Sequence, residues 1–425
     1  MMLPLDGMRV LDLTTLVFGP VATQTLGDMG ADVIKIEAPD GDATRILGPM
    51  RSPKMAAMFL TLNRNKRSLV LDLKTPEGKQ ILWQLIADAD AFVHNMRPQK
   101  MAALGFDEAA VRQHNPRLVY AGLYGFGAAG IYAGEPAYDD VIQGLSGIVG
   151  AAMARDGKAS FVPMTMADKL MGVIAAQGIL AALIKALRSG QGCCLETAMF
   201  EGMTAFTMAD HQYRRVFRPA DGGAGYERVT SPHRQPLPTA DGYICALPYT
   251  DAQFKRFWLA AERADLAADQ RFTSYRDRQE NIDALYALMA EVSVTKTTAE
   301  WLQSLKAQEI PCGPVNSLDE VFDDPHLKSV GFFRDVMHPS EGALTLPDTA
   351  FQFDGASLPI REMPPTLGQH GSEILAGIGY TAADIERFID QGVTIARQCR
   401  PPLRRRLRSI KARLGPGERL CCRQR

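Results

Sequence analysis

The sequence predicts an α/β fold: a large Rossmann-like domain on a parallel sheet, with a smaller α+β domain inserted. Three observations carry that expectation. Strand-like and helical segments alternate from the first residues onward. Each strand–helix–strand unit takes about 30 residues, enough for a crossover helix. Near residue 225 the alternation stops and a Pro/Gly cluster marks a change of composition.

The elements follow in order. Met8-Arg9-Val10-Leu11-Asp12-Leu13 is a short β-type run, and Phe18-Gly19-Pro20 leads into a helix from Val21 to Met29. Proline suits the first helical turn because its missing N–H would go unbonded there anyway. Gly30 stops that helix, and Ala31 to Glu37 forms the next strand. Ser68 to Leu73 is a third strand, Pro76 to Ala89 a helix, Ala91 to Asn95 a strand, and Leu118 to Leu123 another, ending at Gly125-Phe126-Gly127. Lys169 to Ser189 is a long helix rich in Ala, Leu, Ile and Gly, apolar nearly all round and so expected to be buried. Pro219, Gly222, Gly223 and Gly225 mark a boundary. Gly242 to Leu247 then reads as a strand, followed by amphipathic charged helices. The expected organisation is 1–225 for the first part of the large domain, 226–330 for the small domain, 331–393 for the return, and 394–425 for a tail.

Composition narrows the class. The chain has 425 residues, 46% hydrophobic residues and a formal charge of −1, which suits two or three ordinary globular cores. No apolar run approaches the roughly 20 residues that span a bilayer. The first residues lack a basic and apolar leader, so a cytoplasmic enzyme without membrane association is expected. Seven cysteines, with Cys193-Cys194 and Cys421-Cys422 adjacent, fit no C-x-x-C pattern. They read as reduced, mostly buried thiols, Cys245 and Cys312 standing alone in apolar surroundings, and no metal site is predicted. The tail from 394 to 425 carries eleven Lys and Arg against one acid, Glu418. It lacks aromatic residues for stacking on bases, so it reads as a poorly ordered extension and no nucleic-acid partner is expected.

The βαβ start invites a dinucleotide reading, with Glu37 ending the second strand where an acid would hold a ribose hydroxyl. The first turn, Thr14-Thr15-Leu16-Val17-Phe18-Gly19-Pro20, has one glycine and no G-x-G-x-x-G, which argues against NAD or FAD. A phosphorylated ligand still suits this sheet: Lys66, Arg67 and Lys74 flank the third strand and Arg97 follows the fourth, cations at the ends of successive strands. There is no G-x-S-x-G elbow and no H-E-x-x-H. Asp168 lies near the start of the long helix. Thr165-x-x-Asp168 reads as an N-cap with an acid three residues on, a capping role compatible with a chemical one. The helix N-terminus is expected to keep this carboxylate ionised.

Several motifs, in order and spacing, give the chain a family likeness from Leu5 to about Val393. They are Gly7-Met8-Arg9-Val10-Leu11-Asp12-Leu13, Gly30-Ala31-Asp32-Val33-Ile34-Lys35-Ile36-Glu37 and Asn63-Arg64-Asn65-Lys66-Arg67-Ser68-Leu69. Asn115-Pro116-Arg117-Leu118-Val119-Tyr120, Tyr138-Asp139, Asp324-Pro325-His326-Leu327 and Leu367-Gly368-Gln369-His370 follow. Together they resemble the class III coenzyme A transferases, the CaiB/BaiF group. The resemblance implies coenzyme A transfer from an acyl-CoA to a free carboxylic acid, with CoA and acyl-CoA as substrates and no permanently bound cofactor. It implies Asp168 as nucleophile and an interlocked homodimer. It carries CoA contacts to Val17, Phe18, Ala38, Leu71, Asp72, Leu73, Lys74, Asn95, Met96, Arg97, and the stretch Pro136 to Asp139, with Tyr138 and Asp139 orienting the substrates.

Some positions depart from the family pattern. Ala38 and Ala103 stand where some members have arginine, so Arg97, Lys100 or Lys74 must supply those phosphate contacts. Gly222-Gly223-Ala224-Gly225 does not reproduce the family's glycine-rich lid. α-Methylacyl-CoA racemases share the fold and need a histidine–aspartate pair. Here the corresponding stretch, Pro136-Ala137-Tyr138-Asp139-Asp140, has no histidine, which favours transferase over racemase. A catalytically silent CoA-binding protein is the other alternative. A dicarboxylate such as succinate would fit as a substrate, with His233 and Arg234 holding its far carboxylate.

Overall fold

The computed structural model describes residues 2–395, so the basic tail lies outside the described residues from 396 onward. Six parallel strands form the main sheet: β1 (Arg9–Leu13), β2 (Asp32–Glu37), β3 (Lys66–Val70), β4 (Ala91–His94), β5 (Val119–Tyr124) and β6 (Cys194–Ala198). Their spatial order is β3-β2-β1-β4-β5-β6. This is the doubly wound order, and its direction reverses between β1 and β4, where ligands enter over the strands' carboxyl ends.

Alternation along each strand builds a core on both faces. Val10, Val33, Val93, Ala121 and Leu123 pack under the helices Phe18–Asp28 and Met166–Ser189. Leu11, Ile34, Leu69, Phe92 and Tyr120 point the other way, against Pro76–Ala87 and the late helices Gly371–Gly377 and Ala382–Asp390. The end of the chain therefore returns to the first sheet. Residues 237–312 build a third core around Phe257, Trp258 and Trp301. It surrounds a short antiparallel sheet of Leu237–Pro238, Tyr243–Ala246 and Cys312–Pro314.

The first helix begins at Phe18, three residues earlier than predicted, and ends before Gly30, whose φ of +115° glycine alone adopts readily. Strand β6 was not foreseen, because Cys194-Leu195-Glu196-Thr197-Ala198 is short and half polar. Its place at the sheet edge leaves Cys194 exposed, and Cys245 is exposed on the small sheet, so these thiols are not buried as expected.

The expected third strand is displaced too. It starts at Lys66, which puts Lys66 and Arg67 at its amino end, away from the ligand edge. Lys66 is fully buried, bonded to Asp12 Oδ2 at 3.1 Å and Asn63 Oδ1 at 3.0 Å, and Arg67 pairs with Asp32 and Glu373. Neither is free for a phosphate. Glu37 also has another task. Burial would raise its carboxyl, but Arg45, bonded to both oxygens at 2.6 and 2.7 Å, holds it below its ordinary value. Arg45→Ala should destabilise the fold by about 3–5 kcal/mol, because it strands a buried carboxylate. Urea denaturation measures this, and a loss below about 1 kcal/mol would contradict it.

The helix Met166–Ser189 differs from expectation in two ways. Its length and composition would allow it to cross a membrane, although no apolar run seemed long enough. It lies instead on the sheet, but in the single chain it is only partly covered: Val173, Ile184 and Leu187 are 44%, 54% and 66% exposed. Its contact with the first helix is close. A Cβ on Gly172 would stand 2.7 Å from Val21 Cβ and 2.8 Å from the Phe18 carbonyl oxygen. Gly172→Ala must push these helices apart, which we expect to cost about 1–3 kcal/mol. A thermal melt checks this, and an unchanged Tm would refute the close approach.

Candidate active site

A cavity of about 470 Å³ opens at the switch point of the sheet. Its walls are the segments that leave β1, β4, β5 and β6: Thr15, Leu16 and Phe18; Asn95, Met96 and Arg97; Leu123 to Phe126; and Met199. Asp168 and Tyr138 line it too, with residues 98–100 and 133–137. The two central loops are laced together. Thr15 N–H donates to Asn95 Oδ1 at 3.0 Å, and Asn95 Nδ2 donates to the Thr15 carbonyl at 2.8 Å. Below them His94 is fully buried, and burial pushes its imidazole down to about 4, so it is neutral. Its Nδ1 lies 3.2 Å from the Met96 carbonyl, which fixes the proton on Nδ1 and pins the turn carrying Asn95 and Arg97.

Asp168 is the third residue of the helix Met166–Ser189 and reaches the cavity. The expected Thr165 cap is absent: Thr165 occupies the N-cap position, but its side chain makes no capping bond. Asp139 caps the helix instead. Its Oδ1 accepts the Asp168 N–H at 2.9 Å, and its Oδ2 accepts from Gln143 Nε2 at 2.6 Å. Gln143 also takes the Val162 N–H at 2.9 Å and donates to the Met164 carbonyl at 3.2 Å. Asp139 and Gln143 thus tie the start of the helix Met166–Ser189 to the segment before it.

The pairing reverses an expectation about charge. Burial, followed by the negative charge of Asp139, pushes the Asp168 carboxyl up from 3.8 to about 7. The helix N-terminus does not keep it in the ordinary carboxylate range. A poised carboxylate in a cleft is a mark of a functional site.

Of the other residues expected to touch CoA, Phe18, Asn95, Met96, Arg97 and Tyr138 line this cavity. Val17 is buried at the N-cap of the first helix, and Asp139 stands behind Asp168. Ala38, Leu71, Asp72, Leu73 and Lys74 lie outside the cavity, beyond β2 and β3 on the far side of β1. Arg97 and Lys100 are the cations at its mouth, and Arg97 Nη1 reaches the Gly134 carbonyl at 3.4 Å. Arg234 is elsewhere. It lines a second cavity with Arg155, Tyr286 and Met289, while His233 lines neither. Sequence reading missed Thr15, Leu16, Tyr124, Gly125, Phe126, Met199 and Gln143. The turns containing Thr15 and Phe126 were visible as glycine-marked loops. Gln143 gave no signal, because its role depends on the distant Val162 to Met164.

A parallel sheet with a cavity at its switch point, lined in part by the Asp168 carboxylate, places the chain among α/β proteins. The chain belongs to CoA-transferase family III, whose sequence profile matches residues 5–371, and CoA thioesters are the substrates of such enzymes. It is 33% identical over 383 residues to a succinate–glutarate CoA-transferase of Agrobacterium fabrum, covering 88% of this chain and 95% of that one. It is 30% identical to a succinyl-CoA:glutarate CoA-transferase of Mus musculus, with 92% and 90% covered. Among solved structures, a CaiB/BaiF family protein from Brucella suis superposes with a TM-score of 0.76 at 31% identity, covering 89% of this chain and all of that one. The resemblance read from the motifs is borne out.

Proposed function

We propose that the protein moves CoA from an acyl-CoA to a free carboxylic acid through covalent intermediates on Asp168. The ionised Asp168 attacks the thioester carbonyl, the C–S bond breaks, and a mixed anhydride and CoA thiolate result. The thiolate attacks the aspartyl carbonyl of the anhydride, giving an aspartyl-CoA thioester and releasing the first acid as its carboxylate. The acceptor carboxylate attacks that thioester, forming a second anhydride and freeing the thiolate again. Attack of the thiolate on the acceptor's acyl carbon yields the new acyl-CoA and restores Asp168. The observation that carries this reading is the Asp168 carboxylate inside the switch-point cavity, with its backbone held by Asp139.

A dicarboxylate is the preferred acid class, since relatives are named for succinate, glutarate and mesaconate. Racemase chemistry is not favoured: among the described residues, no histidine lines the cavity. The test is to incubate the protein with succinyl-CoA, trap with hydroxylamine or borohydride, and map the modified residue by mass spectrometry. Modification at any residue other than Asp168 would sink the mechanism.

The partly bare outer face of Met166–Ser189, with Val173, Ile184 and Leu187, supports an interlocked homodimer as the working form. Light scattering should give twice the chain mass at micromolar concentration, and a monomer would refute it.

A further inference from the structure

We propose that Lys35 and Asp42 are positioning residues, a fully buried ion pair that holds the turn of residues 14–17 against the cavity. The turn needs holding. Leu16 sits at φ +69°, a left-handed conformation that a leucine rarely adopts unless its surroundings impose it. Both Leu16 and its neighbour Thr15 line the cavity, and Phe18 follows at the start of the first helix. Neither Lys35 nor Asp42 lines the cavity, so any effect on the ligand passes through the turn.

The bonds run from the pair to the main chain of that turn. Lys35 Nζ donates to the Thr14 carbonyl at 3.0 Å and to Asp42 Oδ2 at 2.8 Å. Asp42 Oδ1 accepts the Leu16 N–H at 3.2 Å, along with the Thr44 N–H at 2.8 Å. Asp42 is itself anchored, its own N–H donating to Glu37 Oε2 at 3.1 Å, and Glu37 is locked to Arg45. From the other side, Asp12 takes the Thr14 N–H at 2.9 Å, and Asn95 takes Thr15. The Thr14 N–H and carbonyl and the Leu16 N–H are thus each held by a buried charge, that of Asp12, Lys35 or Asp42.

A buried ion pair is weak as pure stabilisation, because desolvation offsets most of the attraction. Here each charge does what an apolar side chain of equal size could not: it engages an inward-facing peptide group of the turn. Among the described residues, the N–H groups of Val17, Phe18 and Gly19 have no acceptor. The pair thus fixes where those donors and the Leu16 side chain face the ligand.

The test rests on the proposed CoA transfer and uses Asp42→Ala, which removes both charge and acceptor, and Asp42→Asn, which keeps an oxygen for the Leu16 N–H. In folded Asp42→Ala protein, KM for succinyl-CoA should rise about tenfold or more with kcat within about threefold, and Asp42→Asn should show a smaller rise. Calorimetric binding of free CoA should weaken in the same order. A lower kcat with unchanged KM and unchanged CoA affinity is what loss of folded protein alone produces, and it would overturn the proposal. If Asp42→Ala is recovered unfolded, Asp42→Asn and Lys35→Met are compared by the same two measures. If the wild type binds CoA but transfers none, the reaction assigned to Asp168 is wrong. The lock then stands or falls on whether the variants bind CoA more weakly.

Discussion

Asp168→Asn should lower the rate of CoA transfer by a factor on the order of 10³–10⁴ or more, while the protein stays folded and gains stability. The loss follows from chemistry: an amide oxygen is a far poorer nucleophile than a carboxylate, and among the described residues Glu135 is the only other acid lining the cavity. The gain follows from electrostatics. Folding raises the Asp168 carboxyl from 3.8 to about 7, so the folded state binds its proton more tightly than the unfolded chain does. Stability drawn from that proton is complete at low pH and is lost as pH rises from about 4 to 7. Asparagine never ionises, so its advantage over the wild type should grow across that window and be full above pH 7. Discounted for partial solvent exposure, it amounts to about 2 kcal/mol. Transfer assays and thermal melts at pH 5 and pH 8 check both halves. A variant that keeps more than a tenth of the activity would remove Asp168 from the nucleophile's role. A Tm difference that does not grow with pH would remove the burial of its charge.

Much of the fold was legible because its signals are local. The βαβ start, Pro20, the Gly30 stop and the long small-residue helix each report on their own neighbours in the chain. The expected fold class therefore held, with boundaries shifted by a few residues. The motifs then pointed to Asp168 and to the Asn95-Met96-Arg97 turn. What the sequence hid depends on distant partners. Ile34-Lys35-Ile36-Glu37 alternates apolar and polar residues, the local pattern of a half-exposed strand, yet Lys35 and Glu37 are both buried against charges from residues 42 and 45. Asp168 was expected to be capped by Thr165, three residues away. The true cap comes from 29 residues back in the chain, and burial, followed by that same partner's charge, raises the carboxyl that local reasoning expected to stay ionised.

Asp139 is where that reversal has its largest consequence after Asp168 itself. In the proposed mechanism only the ionised form of Asp168 attacks the thioester, so kcat/KM should fall on the acid side with a midpoint near pH 7. Burial is the larger cause of that raised value and the charge of Asp139 the second. Asp139→Asn removes the second and leaves the first, so the midpoint should drop by about one pH unit rather than return to the range of an ordinary aspartate. The variant also loosens the helix start. An asparagine can still take the Asp168 N–H on its oxygen, but its amide then faces Gln143 Nε2, donor against donor, where Oδ2 now accepts at 2.6 Å. Relief requires Gln143 to turn and give up the Val162 N–H, so the segment before the helix loses its tie. We therefore expect kcat/KM at pH 8 to fall about tenfold, a loss of aim rather than of the nucleophile. Near pH 6 the deficit should narrow, because a larger share of the variant's Asp168 is ionised there. A pH–rate profile from 5 to 9 on both proteins separates the two effects. Parallel profiles with a common midpoint would mean that Asp139 only holds the backbone. A wild-type profile flat down to pH 5 would mean that Asp168 is not the group whose ionisation limits the reaction.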